Sequence, residues 1–412
     1  MRLALNFQRV DPTKGGAETY VADLCHRLVR AGHDVTLYAE SWRDEVLPPE
    51  LHRVAVPVDG RTRLGRILAF GRNSETMLRE AEFDCTVGLI NTWYHDVIIP
   101  QGGVHGGSLE ANSKRFPAGW RRSLYLLGKQ TNPKHWLYRS IEAKQYDLAR
   151  PTRVIAVSEM VRGHIERYHH IPRNRIHVVP NAIDTDRLAV SQPGAVRCAF
   201  RNEFGLHPEA LIGLFVGHNF WLKGLAPLLN ALAARRERDP RGRPIHLVVC
   251  GGGRLGPFRR MVDRLGLAPF VHLLGFYRDI RACYWASDFF VSPTYYDPCS
   301  LVVFEALACG LPVITTSCNG AGEVMTDGRE GYIITAPDSI GELVTALDRM
   351  TDDTHRAAMS EQARHLGREQ SMDRHVARLI RVFEEVAASR SRRGPHLARP
   401  SRGAFRRSAS SS

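Results

Sequence analysis

The sequence contains no apolar run close to the roughly 18–20 residues that a membrane-spanning helix requires. At its amino end, MRLALNFQRV, the apolar stretch stops at Asn6, short of the ~7–15 residues in the hydrophobic part of a secretory signal. It also lacks a CxxC pair and any His/Cys group with zinc-ligand spacing. We therefore expect a cytoplasmic protein whose eight cysteines are small, buried and reduced.

Acidic residues are scarce in two parts of this chain, whose formal net charge is +13. Residues 389–412 hold seven arginines and no acidic residue, so the remainder carries +6. Residues 114–153 hold ten Lys or Arg against only Glu142 and Asp147. Both segments indicate an anionic partner, which could be a membrane surface, a nucleic acid or a phosphorylated substrate.

Short apolar runs that are typical of strands alternate with amphipathic, helix-like stretches along most of the chain. The predicted strands are 3–7, 35–39, 85–89, 154–157 and 177–179, and after a restart near residue 190, 211–216, 246–250, 271–274, 289–292 and 312–315. Such alternation predicts the α/β class, with parallel sheets covered by helices as in Rossmann-like domains.

We predict two such domains in tandem, over residues 1–184 and 185–370, with the polar segment 185–194 as the linker. A last amphipathic helix is predicted within 371–388, and the basic segment 389–412 is predicted to be disordered. Ligands of α/β domains bind at the carboxyl ends of the strands, so the expected site is the cleft between the two domains.

Two glycine-containing turns follow predicted strands. Gly15 and Gly16 precede a predicted helix, where free N–H groups attract phosphate and glycine lets the backbone approach a ligand closely. Gly217 and His218 follow strand 211–216, and Lys223 comes soon after them, at a place where a lysine can neutralise a diphosphate. Each turn taken alone also fits an ordinary α/β connection with a solvated lysine.

The stretch YDPCSLVVFEALACGLPVI at 296–314 is the most informative one. Asp297 lies in a loop after a predicted strand, and Ser300 and Leu301 begin a helix whose unpaired N–H groups can hold a phosphate. Glu305 falls about one and a half turns into this apolar helix, so its carboxylate needs a hydrogen-bonding partner if it is buried. Ribose hydroxyls would serve, and the alternative is a solvated Glu305.

This stretch resembles the E-x7-E signature of retaining nucleotide-sugar glycosyltransferases of family 4, with Asp297 in place of the first glutamate. Three other segments resemble motifs of that family and occur in the same order. GGAE at 15–18 resembles the GGxE loop, VPNAID at 179–184 resembles the VPNGVD segment, and KG at 223–224 matches the KG pair. The resemblance covers residues 1 to about 388. Within the family, the chain looks most like the glucosyltransferases that build lipopolysaccharide core.

The resemblance implies the GT-B fold, in which two Rossmann-like domains face a cleft and the last helix crosses back to the N-terminal domain. The C-terminal domain would bind a nucleotide diphosphate sugar, and the N-terminal domain would bind a glycan or glycolipid acceptor. No cofactor and no metal ion is expected, because basic side chains and helix N-termini can neutralise the diphosphate. Family members usually carry an arginine upstream of the lysine, and His218 or Leu222 occupies that neighbourhood here.

The implied catalytic residues are Lys223, which would hold the leaving phosphate, Asp297, which would fix the donor sugar, and Glu305, which would bind the ribose. Further donor-binding positions are implied at Gly15, Gly16, Gly217, His218, Ser300 and Leu301. His105 lies in the glycine-rich segment PQGGVHGG, at a place comparable to a family histidine that contacts the donor sugar near the reacting carbon. The alternative for His105 is an ordinary surface loop.

The basic segment 114–153 also interleaves aromatic and aliphatic residues with its cations. This mixture suits an anionic bilayer surface, or else a helix–loop region with buried aromatic rings and a solvated basic face. No known nucleic-acid motif accompanies it, so we expect no nucleic-acid partner.

We predict a retaining glycosyltransferase that moves glucose or a related hexose from a nucleotide diphosphate donor, expected to be a UDP-sugar, to a lipid-linked or cell-envelope glycan. It would work in the cytoplasm, with peripheral attachment to the inner face of the cell membrane as an open possibility. The alternatives are a nucleotide-sugar epimerase or phosphorylase of the same layout, and a catalytically degenerate glycosyltransferase that acts as a membrane scaffold.

Overall fold

A computed structural model describes residues 1–393. The first strands of the chain are β1 (Arg2–Asn6), β2 (Arg9–Val10), β3 (Asp34–Ala39), β4 (Ser41–Trp42), β5 (His52–Ala55), β6 (Cys85–Gly88), β7 (Val97–Ile98), β8 (Arg153–Ala156) and β9 (Ile176–Val178). Seven of them form one parallel sheet in the order β5-β3-β1-β6-β7-β8-β9, while β2 and β4 pair separately. The predicted α/β architecture is therefore present in this half.

Six helices connect these strands. They are α1 (Gly16–Arg30), α2 (Arg63–Glu80), α3 (His105–Ser113), α4 (Trp120–Gln130), α5 (Pro133–Gln145) and α6 (Glu159–His169). Helix α1 packs on the sheet because Val21, Leu24 and Leu28 recur on one face, and all three are fully buried. The α2 helix begins at a Thr62 cap, whose hydroxyl accepts the N–H of Gly65 at 3.0 Å.

The second half repeats the architecture. Its strands are β10 (Leu211–Val216), β11 (Ile245–Cys250), β12 (Val271–Gly275), β13 (Phe289–Ser292), β14 (Val313–Thr316) and β15 (Gly331–Ile334). They form a parallel sheet in the order β12-β11-β10-β13-β14-β15, the strand order of a Rossmann domain. Its helices are α7 (Pro193–Glu203), α8 (Leu225–Arg238), α9 (Gly256–Arg264), α10 (Ile280–Ala286), α11 (Leu301–Ala308), α12 (Ile340–Arg349) and α13 (Asp353–Glu369).

The last helix, α14 (Met372–Arg393), crosses back to the first half of the chain, as predicted. It packs against α1, where Tyr20 Oη lies 2.8 Å from His375 Nε2 and Arg27 Nε donates to Asp373 Oδ1 at 2.6 Å. The predicted end at residue 388 is wrong, because the helix continues to Arg393. Residues 389–393, predicted to be disordered, are helical, and the rest of the predicted tail lies outside the described residues.

The chain passes between the two sheets twice, and the two passages lie side by side. Ile183 and Ser371 form a parallel bridge, in which Ile183 accepts the N–H of Met372 at 3.0 Å. The predicted linker 185–194 is partly structured, because it contains a 3₁₀ turn at Thr185–Leu188 and the start of α7. The domain limits themselves remain a prediction.

Apolar side chains from both halves form one continuous core, and a second core lies within the C-terminal half. All eight cysteines are free thiols; six are buried, Cys318 is half-buried and Cys198 is exposed, contrary to the expectation for all eight. Within residues 1–393, no helix combines the length and the apolar character needed to cross a membrane.

Candidate active site

Lys223 and Asp297 lie beyond the carboxyl ends of β10 and β13, two neighbouring strands at the centre of the second sheet. The strand order reverses between them, which is where ligands of such sheets bind. The Lys223 ammonium forms an ion pair with the Asp297 carboxylate. Their side chains are 21% and 11% exposed, so this pair is largely withdrawn from solvent. An incoming diphosphate would compete with Asp297 for the ammonium.

Hydrogen bonds fix the Lys223 loop against the Asp297 loop. The carbonyl oxygen of Leu222 accepts the N–H of Tyr295 at 2.9 Å and the hydroxyl of Thr294 at 3.1 Å. Gly224 has φ +79°, and a Cβ there would lie 1.8 Å from the carbonyl oxygen of Pro293. Only glycine fits this position, so the KG pair places its lysine by a close backbone approach.

Glu305 lies on α11, which begins after Ser300 and has Leu301 as its first residue. The side chain is half-buried, and its Oε2 accepts the hydroxyl of Tyr284 at 2.6 Å. Burial raises the pKa of Glu305, and the Tyr284 hydrogen bond acts in the opposite direction. Within the described part of the chain nothing donates to Oε1, so this oxygen can accept a hydrogen bond from a ligand.

The predicted GGAE loop meets the start of α11 from the other half of the chain. A Cβ on Gly16 would lie 3.1 Å from Leu301 Cδ1, so a larger residue would push the loop away. Gly15 is the N-cap of α1. Gly217 and His218 follow β10 directly, and the exposed His218 lies near Glu18. Burial raises the pKa of the Glu18 carboxyl, and the charge of His218 acts weakly in the opposite direction. These donor-binding candidates therefore line the two sides of one cleft.

His105 is the first residue of α3 rather than part of a loop, which corrects the sequence-based placement. Its Nε2 lies 2.6 Å from His135 Nδ1, and its ring stacks on Tyr138. Burial lowers the pKa of both histidines. Within residues 1–393, no hydrogen bond or ring contact joins the His105 side chain to Lys223 or Asp297.

Two polar residues that sequence reasoning did not assign hold the two halves together beside the cleft. The Tyr296 hydroxyl accepts the N–H of Val104 at 3.2 Å. Asn181 accepts from Gln101 Nε2 at 3.0 Å and donates to the carbonyl of Cys299 at 3.0 Å. Asn181 belongs to the VPNAID segment, which could be recognised in the sequence, but its hydrogen bonds between the two halves could not be predicted from that motif.

A cavity of about 840 Å³ opens at the carboxyl ends of the first sheet, facing the cleft. Its charged lining residues are Arg9, Asp11, Lys14, Glu18, Arg63 and Arg66. Arg9 and Arg66 are paired with Glu40, whereas Arg63 makes no ion pair among the described residues. Asn91 also lines the cavity, with the left-handed φ of 58° that is uncommon outside glycine. The cavity suits a polar, anionic group.

The basic segment 114–153 begins directly after α3, contains α4 and α5, and ends at the first residue of β8. The alternative with buried aromatic rings is wrong for Trp120 and Trp136, which are 71% and 65% exposed, together with exposed Leu124 and Leu127. Cations lie over these rings, Arg121 at 5.4 Å from the Trp120 centroid and Arg139 at 6.0 Å from that of Trp136. We call this surface of α4 and α5 the basic aromatic face.

No group of three or more His, Cys, Asp or Glu side chains is arranged to hold a metal ion within residues 1–393. Lys223 and the N–H groups at the start of α11 can hold an anion, and the Glu305 carboxylate can accept hydrogen bonds from the hydroxyls of a sugar or ribose.

Comparison with known proteins agrees with this geometry. Residues 14–187 match the model for glycosyltransferase family 4, and residues 210–353 match the one for glycosyl transferases group 1. The lipopolysaccharide glucosyltransferase WaaG of Escherichia coli (strain K12) is 25% identical over 85% of this chain and 90% of its own length. A D-inositol 3-phosphate glycosyltransferase of Corynebacterium aurimucosum is 30% identical over 88% of this chain and 91% of its own.

Solved structures share the fold. The crystal structure of WaaG superimposes with a TM-score of 0.76 and 23% identity, covering 92% of this chain and 99% of its own. That of Anabaena Alr3699/HepE in complex with UDP-glucose does so with a TM-score of 0.67 and 17% identity, covering 95% and 100%. The fold is GT-B, and the chain is a glycosyltransferase that belongs to family 4.

Proposed function

We propose that this glycosyltransferase moves a hexose from a UDP-sugar to a hydroxyl of a lipid-linked or cell-envelope glycan, with retention of anomeric configuration. The observation that carries the proposal is the Lys223–Asp297 pair where the strand order reverses, beside the helix that bears Glu305. HepE, which binds UDP-glucose, and WaaG, a lipopolysaccharide glucosyltransferase, support the choice of donor and acceptor.

The proposed reaction builds negative charge on the leaving diphosphate while the anomeric carbon becomes oxocarbenium-like. Lys223 would leave Asp297 for the diphosphate, where it stabilises this growing charge together with the N–H groups at the start of α11. Asp297 would then be free to accept hydrogen bonds from the donor sugar. Glu305 would accept the ribose hydroxyls through Oε1, with Tyr284 holding its other oxygen in place.

The acceptor would enter the cavity of the first sheet. Its lining includes Arg63, which makes no ion pair with residues 1–393, and this free cation favours an acceptor that carries phosphate or carboxylate groups. WaaG acts in lipopolysaccharide biosynthesis, and the C. aurimucosum relative is named for an inositol phosphate acceptor. Both names fit the charge of this cavity.

We also propose that the basic aromatic face places the enzyme on an anionic membrane. Trp120, Leu124 and Leu127 are exposed on α4, and Trp136 is exposed on α5 next to Arg139. Exposed tryptophans favour the bilayer interface, and each cation near an anionic surface contributes about 1 kcal/mol. A lipid-linked acceptor is confined to that surface, so docking would bring it to the N-terminal half.

The test is a transfer assay with radiolabelled UDP-glucose and UDP-galactose, using a core-type glycolipid extract as acceptor and Lys223→Ala as the inactive control. Labelled glycolipid with an α-anomeric proton coupling would support the proposal. Formation of the epimeric nucleotide sugar would favour an epimerase. Donor binding without transfer or hydrolysis would favour the scaffold, and binding of ADP- or GDP-sugars alone would refute the UDP assignment.

A further inference from the structure

Arg115 crosses from the first half of the molecule to the donor side of the cleft. It lies two residues after the end of α3, and its guanidinium carbon lies 5.7 Å from the ring centroid of Trp221. Trp221 lies between His218 and Lys223 in the loop that follows β10. The side chain of Arg115 is thus brought, from a different domain, to the loop that carries Lys223.

The guanidinium of Arg115 is half-buried, and the described part of the chain offers it no anionic partner. Among residues 1–393 it makes no ion pair and no side-chain hydrogen bond, whereas other half-buried arginines, such as Arg197 and Arg243, pair with an aspartate. Burial lowers the pKa of this guanidinium, and the nearby Tyr125 and Tyr295 side chains act in the opposite direction. A partly desolvated cation without a counter-ion is costly unless a ligand supplies the charge.

The neighbours of Arg115 are tied to the reacting groups. Tyr295 donates its N–H to the carbonyl of Leu222, the residue before Lys223, and stands two positions before Asp297. Leu222 lies in the neighbourhood where family members usually carry an arginine, so this loop lacks that positive charge. Arg115 is also held in place from its own side, because Arg122 donates to the carbonyl of Phe116 at 2.9 Å and the Phe116 ring packs on Tyr125.

We propose that Arg115 is a second cation for the diphosphate of the donor, supplied by the N-terminal domain across the cleft. Planar guanidinium groups bind phosphate oxygens in pairs of hydrogen bonds, which a single ammonium does not provide. The diphosphate would then lie between Lys223 and Arg115, and donor binding would draw the two domains together. This inference rests on the proposed function, since both require a nucleoside diphosphate donor.

The test compares ligands with and without phosphate. UDP and uridine are titrated into wild type, Arg115→Ala and Arg115→Lys by calorimetry and NMR, with Arg368→Ala, on the exposed side of α13, as the control. For Arg115→Ala, the affinity for UDP should fall about tenfold or more, which corresponds to about 1.4 kcal/mol, whereas uridine binding should change less than about threefold. Arg115→Lys should recover part of the loss, and the control should match the wild type.

Each other outcome has a definite meaning. If UDP and uridine weaken equally in Arg115→Ala, or if neither changes, Arg115 is only an interdomain contact with Trp221 and the inference is overturned. If the wild type binds none of UDP, ADP and GDP, the proposed function fails, and this inference fails with it. Thermal melting of the free variants shows whether the folded state is intact, and Arg115→Lys carries the comparison if Arg115→Ala does not fold.

Discussion

Removal of the Lys223 ammonium should affect both catalysis and folding stability, and the two effects can be measured separately. In the free protein it neutralises Asp297, whose side chain is only 11% exposed. In the proposed reaction it stabilises the departing diphosphate. Lys223→Ala should therefore lower kcat by about 100-fold or more, as for the loss of other groups that hold transition-state charge, with a smaller change in donor affinity.

The same substitution leaves the Asp297 carboxylate without its cation, which should cost about 1–3 kcal/mol of unfolding free energy. The double variant Lys223→Ala/Asp297→Asn removes that unpaired charge, so we expect its melting temperature to recover while its activity does not. Lys223→Arg keeps the charge and should retain part of kcat. The assay is steady-state transfer from the donor at several concentrations, with differential scanning calorimetry of the same samples.

A kcat for Lys223→Ala within about threefold of the wild type would refute the proposed charge stabilisation. A loss confined to KM would also contradict it, since that would make Lys223 a ground-state contact only. Arg368→Ala, an exposed change away from any ion pair of the described residues, controls for handling and should leave both constants unchanged.

Three further predictions concern the carboxylate, the metal and the membrane. Glu305→Gln should weaken donor binding by about 1.5–3 kcal/mol in calorimetry, and unchanged donor affinity would contradict the ribose contact. Because burial raises the pKa of Glu305, the ionised carboxylate costs folding stability at a pH above that pKa. The variant should therefore melt no lower than the wild type at neutral pH. Transfer should survive excess EDTA, and strict dependence on added manganese or magnesium would overturn the metal-free mechanism. In flotation assays the protein should bind anionic but not zwitterionic vesicles, and it should be released at 1 M salt, where the Debye length is ~3 Å. Charge reversal at Arg121 and Arg122, or deletion of residues 389–412, should weaken this binding. Equal binding to both vesicle types would refute docking.

The parallel sheets could be predicted from the sequence because their strands are buried on both faces and appear as continuous apolar runs. The strands β10 and β13 were predicted with their observed limits. β5 was missed, since its sequence HRVA lies at the sheet edge and is half polar, and β7 was missed because two residues carry no periodic signal. The last helix was ended early because the arginines and serines after 388 resemble a solvated tail.

The sequence predicted which residues follow the strands at the site, but it did not predict the directions and partners of their side chains. Lys223 and Asp297 could each be placed after a predicted strand, but the ion pair between them could not be predicted. The direction of the His105 ring depends on His135, thirty residues further on, and no pattern in the sequence joins them. Arg115 was hidden within a run of cations, because composition does not tell a charge facing the cleft from one facing a membrane.

The crossing of α14 has a consequence for how the newly made chain can fold. Six apolar residues of this helix, Met372, Val376, Leu379, Val382, Phe383 and Val386, are buried, several of them where the helix packs on α1 and β6. At a synthesis rate of about 5–20 residues per second, α1 waits roughly 20–70 s on the ribosome before its partner is made. The part of the surface of α1 and β6 that α14 covers is exposed throughout that time, so the N-terminal domain, although translated first, is completed last.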